Sequence, residues 1–148
     1  MDLQKRITNL PAKTEDLAEF ILVGAQALKA QKAKLAAITA VKRGVAATQA
    51  ALSDTQDLAE ILLYAEARLG ECLVKSNSKG TFKKGGETSL PSGFLKQRAY
   101  DARQLAKHPV AIAQVVAKAR AAGEVPVRQH VLQEIKGVHV SHNSGQNE

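Results

Sequence analysis

The feature that most constrains the fold is an apolar stripe that recurs every 3.6 residues in the middle of the chain. It consists of Leu58, Ile61, Leu62, Ala65, Leu69, Cys72 and Leu73. Because residues three and four positions apart share one face of a helix, this spacing predicts an amphipathic helix. Ser53 followed by Gln56 has the form of a capping box, which predicts that this helix begins at Ser53.

A second long helix is predicted before it. Thr14 is a typical N-cap residue, and the acidic residues that follow it suit the positive end of the helix dipole. The helix is expected to run to Arg43, with Gly44 as its stop. Its apolar residues keep the near-heptad spacing of a coiled coil and form a narrow stripe: Leu17, Ile21, Gly24, Leu28, Leu35 and Ile38. Residues 1–13 are expected to be a polar lead-in, and residues 45–52 fit either helix.

The two long helices carry opposite charges. The acidic residues of the later helix are Asp54, Asp57, Glu60, Glu66 and Glu71. The earlier helix has no acid after Phe20, and its cations are Lys29, Lys32, Lys34, Lys42 and Arg43. We therefore expect an antiparallel hairpin over 14–74, in which Lys42 and Arg43 approach Asp54 and Asp57. Two interpretations of the basic run remain open, namely neutralisation inside the hairpin and a surface for nucleic acid.

Beyond the hairpin, residues 75–91 are rich in Gly, Ser and Lys and predict a flexible basic linker. Three shorter helices are then expected at 92–107, 110–122 and 126–137, followed by a disordered tail at 138–148. Their stops are Pro109, Gly123 and Gly137. Alanine and leucine are abundant, aromatic residues make up 3% and Trp is absent, so the whole chain is expected to be all-α.

The 92–107 helix has an inner side that is apolar. Leu95, Ala99, Ala102, Leu105 and Ala106 fall on it, with Phe94 at its margin. Arg98 lies among these apolar positions, so we expect it to be structural. Its long side chain would either reach to solvent along the apolar surface or pair with Glu124 or Glu134.

The outward face of the same helix is the candidate functional surface. Together with the linker it supplies the candidate nucleic-acid-binding residues: Lys79, Lys83, Lys84, Lys96, Gln97, Tyr100, Arg103, Gln104 and Lys107. The cations are expected to contact phosphates, and Gln97, Tyr100 and Gln104 to lie near bases or backbone. A net charge of +7 and a pI near 9.7 favour an anionic partner, nucleic acid before membrane. The alternative is an ordinary solvated face, since Lys, Arg and Gln are good helix formers.

No catalytic or metal-binding set can be assembled from the chain. The single cysteine, Cys72, excludes an internal disulfide and a thiolate zinc cluster. His139 and His142 have no carboxylate or thiolate nearby to complete a zinc site. No nucleophile–base pair or paired carboxylates occur on the predicted rigid elements, so we expect no enzymatic activity and no cofactor. No apolar run approaches the ~20 residues that span a bilayer, so we expect a soluble, cytoplasmic protein without a membrane partner.

Two segments resemble a known group of proteins. Residues 63–73, L-Y-A-E-A-R-L-G-E-C-L, are similar to the A-E-R-R-L-G-E-L-L helix of small phage- and prophage-encoded helical proteins. In those proteins a Gly/Lys-rich linker follows, and then a segment like S-K-x-Q-x-x-x-A-x-x-L-A. This chain matches that segment at Lys96, Ala102, Leu105 and Ala106, and departs from it at Leu95 and Arg98.

The resemblance implies a helix-turn-helix, as in partition-protein-like and plasmid repressor-like DNA binders, and a DNA-associated role in a mobile element. A helix-turn-helix needs a supporting helix just before the recognition helix. Relatives carry T-L-A-D-L-G-I-S at that point, whereas this chain has T-S-L-P-S-G with Pro91 inside it. We therefore expect the 92–107 helix to grip phosphates more than to read bases.

Two functional expectations follow from the sequence. The first is a phage- or plasmid-type DNA-binding protein with a regulatory or replication-associated role. The second is a non-enzymatic helical adaptor or inhibitor. It would bind a host or phage protein, or a second copy of itself as a homodimer, through the apolar stripe of the hairpin.

Overall fold

A computed structural model describes residues 2–42, 44–78 and 96–145, with side chains for 2–42, 44–74 and 96–137. Its helices are α1 (Leu3–Thr8), α2 (Thr14–Ala40), α3 (Val45–Ser78), α4 (Lys96–Lys107), α5 (Pro109–Ala122) and α6 (Arg128–Gly145). These ranges contain no strand, which confirms the all-α fold class. Although α3 is long, neither it nor any other helix in these ranges combines the length and apolar character needed to cross a membrane.

The two long helices form the predicted hairpin. The chain reverses at Lys42 and Gly44, whose φ angles of 52° and 109° are left-handed. The helices then pack side by side with Gly24 of α2 against Leu62 of α3. The hairpin core consists of Leu10, Leu17, Ala18, Ile21, Ile61, Ala65, Leu69 and Leu73. The N-terminal part of the α2 stripe therefore faces the α3 stripe inside the hairpin, whereas Leu28, Leu35 and Ile38 are only half-buried.

Neither long helix is capped by the predicted residue, and the open assignment of residues 45–52 is resolved. α3 begins at Val45, so residues 45–52 belong to it and Ser53 lies exposed within it. A capping box is a short local pattern, and the alanine-rich residues before Ser53 contain nothing that breaks a helix. The N-cap of α2 is Lys13, which makes no side-chain cap bond, and Thr14 is already helical. The other end of α2 is Ala40, three residues short of the predicted Arg43.

Further boundaries also differ from the sequence expectation, including the start of α6 at Arg128 instead of Pro126. The expected lead-in contains α1, and residues 75–78 continue α3 instead of starting the linker. Gly123 ends α5 in the left-handed conformation, as predicted, with φ of 71°. Gly137 does not take a positive φ, so it does not stop α6, which continues to Gly145 through residues predicted to be disordered. The predicted starts at 92–95 lie outside the described residues.

The C-terminal helices pack on the far side of α3. Leu63 and Ala67 of α3 join a second core that also contains Leu105, Ala111, Ile112, Val115, Val116, Val131 and Ile135. α3 is therefore the central helix: one side closes the hairpin, and the other carries α4, α5 and α6. This explains why α3 is buried almost continuously from position 59 to position 67.

Gly70 sets the closest approach between α3 and α4. A Cβ atom at this position would overlap the carbonyl oxygen of Ala102 and lie 2.9 Å from the backbone nitrogen of Arg103. Only a glycine lets the two backbones come this close. At Gly24, in contrast, an added Cβ would meet only the end of the Leu62 side chain, which can rotate away.

We predict that Gly70→Ala lowers the free energy of unfolding by about 2 kcal/mol, because the methyl group would push two helix backbones apart. This outweighs the gain of about 1 kcal/mol that alanine brings to a helix interior. Gly24→Ala is the matched control and should change stability by less than about 1 kcal/mol. Urea denaturation followed by circular dichroism measures both, and equal stability of the two variants would contradict the proposed backbone contact.

Candidate nucleic-acid interface

α4 directs three of its four cations away from the core. Ala102 and Leu105 are buried against α3 and the C-terminal helices. On the opposite side Lys96 and Lys107 are exposed, and Arg103 is half-buried. Their spacing, together with Tyr100, places all four side chains along one side of the helix. The structure therefore brings together the charged residues that the sequence assigned to one face.

None of these three cations forms an ion pair with a carboxylate in the part of the chain that the structure describes. The charges of α4 that do pair are Arg98 and Asp101, and both lie on its inner side. An unpaired cluster of cations raises the local positive potential and attracts phosphate-bearing ligands. The positive potential at the outward face of α4 therefore favours binding of an anion.

The amides of the candidate site lie beside this face, along its edge. Gln97 donates from Nε2 to Oδ1 of Asp101 over 3.0 Å. Gln97, Tyr100 and Gln104 border a groove of about 470 Å³ between α4 and α6. Gln129 and Gln133 border it from the α6 side. Amides both donate and accept hydrogen bonds, so this groove offers polar contacts next to the cations.

Tyr100 joins the two parts of the surface. It is 51% exposed, stands in the row of cations and also borders the amide groove. Sequence reasoning did not include Gln129 and Gln133, although their spacing of four residues places them on one helical face. The candidate residues Lys79, Lys83 and Lys84 lie outside the described residues, so their role stays a prediction.

Three acidic residues of α3 are paired with arginines from the C-terminal helices. Arg120 donates from Nη2 to Asp57 over 2.7 Å and to Glu60 over 3.0 Å. Burial lowers the pKa of Arg120, but its hydrogen bonds to Asp57 and Glu60 outweigh burial, so the pKa is raised and the charge is retained. Oε1 of Glu66 accepts hydrogen bonds from Arg98 over 3.2 Å and from Arg128 over 2.8 Å.

Among the described residues, no ion pair supports neutralisation of the basic run of α2 by α3. Asp57, Glu60 and Glu66 face the C-terminal helices, so they are not available to the lysines of the hairpin. No described carboxylate pairs with Lys29, Lys32, Lys34 or Lys42. Arg43 lies outside the described residues. Arg98 is structural as expected, but its partner is Glu66, whereas Glu134 pairs with Lys118.

The chemistry available at this surface is that of binding. Among the described residues, no group of three His, Cys, Asp or Glu side chains is placed to hold a metal ion. Cys72 is a half-buried free thiol.

In comparisons with known proteins, no family model, curated protein or solved structure matches the chain. The function is therefore inferred from the arrangement of charges and grooves.

We predict that Arg120→Met lowers the free energy of unfolding by about 2 kcal/mol, because it leaves the buried Glu60 carboxylate and the half-buried Asp57 carboxylate without a counter-charge. Lys118, two residues earlier on α5, is the matched control, since it is 69% exposed in its pair with Glu134. Lys118→Met should change stability by less than about 0.5 kcal/mol. Chemical denaturation compares the two variants, and an equally small effect of both would show that the arginine pairs are not structural.

Proposed function

We propose that this protein binds double-stranded DNA through the outward face of α4. Lys96, Arg103 and Lys107 contact phosphates, and Tyr100 lies between them. The observation that carries the proposal is that these three cations share one exposed helical side and have no described carboxylate partner. The resemblance to phage-encoded helical proteins supports a regulatory or replication-associated role of a mobile element in the cytoplasm.

The length of α4 suits the width of a DNA groove. Lys96 and Lys107 are eleven residues apart, which is roughly 16 Å along a helix axis. The major groove of B-DNA is about 12 Å wide. The terminal cations thus reach the phosphates on both sides of the groove while Arg103 and Tyr100 lie between them. Phosphate contacts fix the position of the helix, and the amide groove between α4 and α6 adds polar contacts at its edge.

The direct test is an electrophoretic mobility shift with a short duplex at several salt concentrations. The triple substitution Lys96→Glu/Arg103→Glu/Lys107→Glu should reduce affinity at low salt by at least about a hundredfold. Because three phosphate contacts are lost, the slope of log affinity against log salt should become about three units less steep. If this variant binds DNA as tightly as the wild type, α4 is not part of the interface.

A control of equal charge separates a specific surface from net charge. Lys5→Glu/Arg6→Glu/Lys13→Glu alters three exposed cations on and beside α1 by the same total charge. This variant should keep the salt slope of the wild type, since these residues are not on the proposed surface. If both triple variants lose affinity equally, the binding depends on overall charge and not on α4.

A second candidate function is protein binding through the hairpin. The residues of the hairpin core are already packed against each other, so a partner would occupy a neighbouring groove between α1, α2 and α3. This groove has a volume of about 660 Å³ and is bordered by Phe20, Val23, Ala27, Leu58 and Ile61. Val23 is 63% exposed there, which leaves apolar surface for a second copy or another protein to cover.

Light scattering coupled to size exclusion tests the homodimer. If two copies meet at this groove, the wild type should elute as a dimer, and Val23→Glu should be a monomer of unchanged helical content, because a charge would be buried at the interface. Gln26→Glu adds the same charge to α2 at an exposed position outside the groove, so this control should remain a dimer. A monomeric wild type at high concentration would exclude self-association, and an absent DNA shift would then favour a different protein partner.

A further inference from the structure

A second cationic site lies between the hairpin and the C-terminal helices. It is a cleft of about 260 Å³ formed by α2, α3, the first turn of α4 and the residues just before α6. None of the outward cations of α4 lines it. Its apolar lining includes Ile21, Leu28, Leu62, Leu63 and Val127. This cleft takes no part in the DNA contact proposed above.

The charges that line this cleft are strongly unbalanced. Four cationic side chains border it, namely Lys29, Lys32, Arg98 and Arg128, and a single carboxylate, that of Glu66. That carboxylate is 6% exposed and already accepts hydrogen bonds from both arginines. Lys29 and Lys32 are exposed and pair with no carboxylate in the described residues. The rim of the cleft therefore carries positive charge that the protein does not neutralise.

We infer that this cleft binds a small organic anion. The anionic group is a carboxylate or a phosphate monoester held by Lys29 and Lys32, and the apolar body of the ligand lies against Ile21, Leu28 and Leu62. A small-molecule site typically combines an apolar lining with a few placed polar groups, and this cleft has both. At about 30 Å³ for each water-sized group, its volume corresponds to roughly nine non-hydrogen atoms.

The size and lining of the cleft distinguish this ligand from DNA. A duplex backbone is too bulky to enter a space of about 260 Å³, and it would leave the apolar wall uncovered. A free inorganic anion would also leave that wall exposed to water, so an anion with an attached apolar body is the better fit. The ligand also touches α2 and α3 of the hairpin together with α4 and the segment before α6, so binding should stabilise the whole fold.

The test uses the full chain and three probes of about the right size. Octanoate carries a carboxylate, phenyl phosphate carries a phosphate monoester, and octanamide is the uncharged counterpart of octanoate. At ten times its Kd, a binding probe should raise the melting temperature by about 4 °C. In a ¹H–¹⁵N NMR titration, the resonances of the residues that line the cleft should shift. The stronger of the two anions identifies the anionic group of the ligand.

Two variants of α2 provide the decisive comparison. Lys29→Gln/Lys32→Gln removes the unpaired cations from the cleft and should weaken binding of the anion by about tenfold or more. Lys34→Gln removes the same kind of charge from the same helix, outside the cleft, and should bind like the wild type. The inference is overturned if neither anion shifts the cleft resonances, if octanamide binds as tightly as octanoate, or if the double variant binds as tightly as Lys34→Gln.

Discussion

The carboxylate of Glu66 is the interaction on which the placement of the C-terminal helices depends. It is almost fully buried, and a buried charge is tolerated only when it is paired and hydrogen-bonded. Its two arginine partners come from α4 and from the start of α6, so one side chain of α3 holds both elements. Four residues further along each helix, Gly70 of α3 meets Ala102 of α4. Because Arg98 and Ala102 are four residues apart, they lie on one side of α4. The two contacts turn this side to α3 and leave the opposite side outward.

Residues 65–70 of α3 have an architectural role in this structure. Within the run A-E-A-R-L-G, Glu66 pairs with two arginines and Gly70 admits the backbone of α4. Between them Arg68 donates from Nη1 to the carbonyl oxygen of Leu10 over 2.6 Å, which attaches the chain between α1 and α2. Three residues within about one helical turn thus hold three other parts of the protein. The binding surfaces proposed above lie on elements that this segment positions.

Local periodicity in the sequence predicts most of the helices of this fold. The apolar stripe of α3 and the outward row of α4 follow from spacing alone, and the structure retains both. The pairing of charges did not follow, because it depends on which elements pack together. Asp57 lies 63 residues from its partner Arg120, much farther along the chain than Lys42, yet it faces the C-terminal helices. Gln56 fitted a capping box but donates instead to the carbonyl oxygen of Glu124 over 2.9 Å. Gly137 has the position of a helix stop in the sequence. Whether a helix ends at a glycine depends on its φ angle, which the sequence does not show.

The central position of α3 has a consequence for the order in which the chain folds during synthesis. The hairpin leaves the ribosome first, and at that stage Leu63 and Ala67 lack the apolar residues that cover them in the second core. The carboxylates of Asp57, Glu60 and Glu66 also lack their arginine partners at that stage, because those arginines are translated later. The nascent hairpin therefore presents an apolar and acidic face to the cell until α4, α5 and α6 emerge. During that interval it is open to aggregation or to capture by a chaperone.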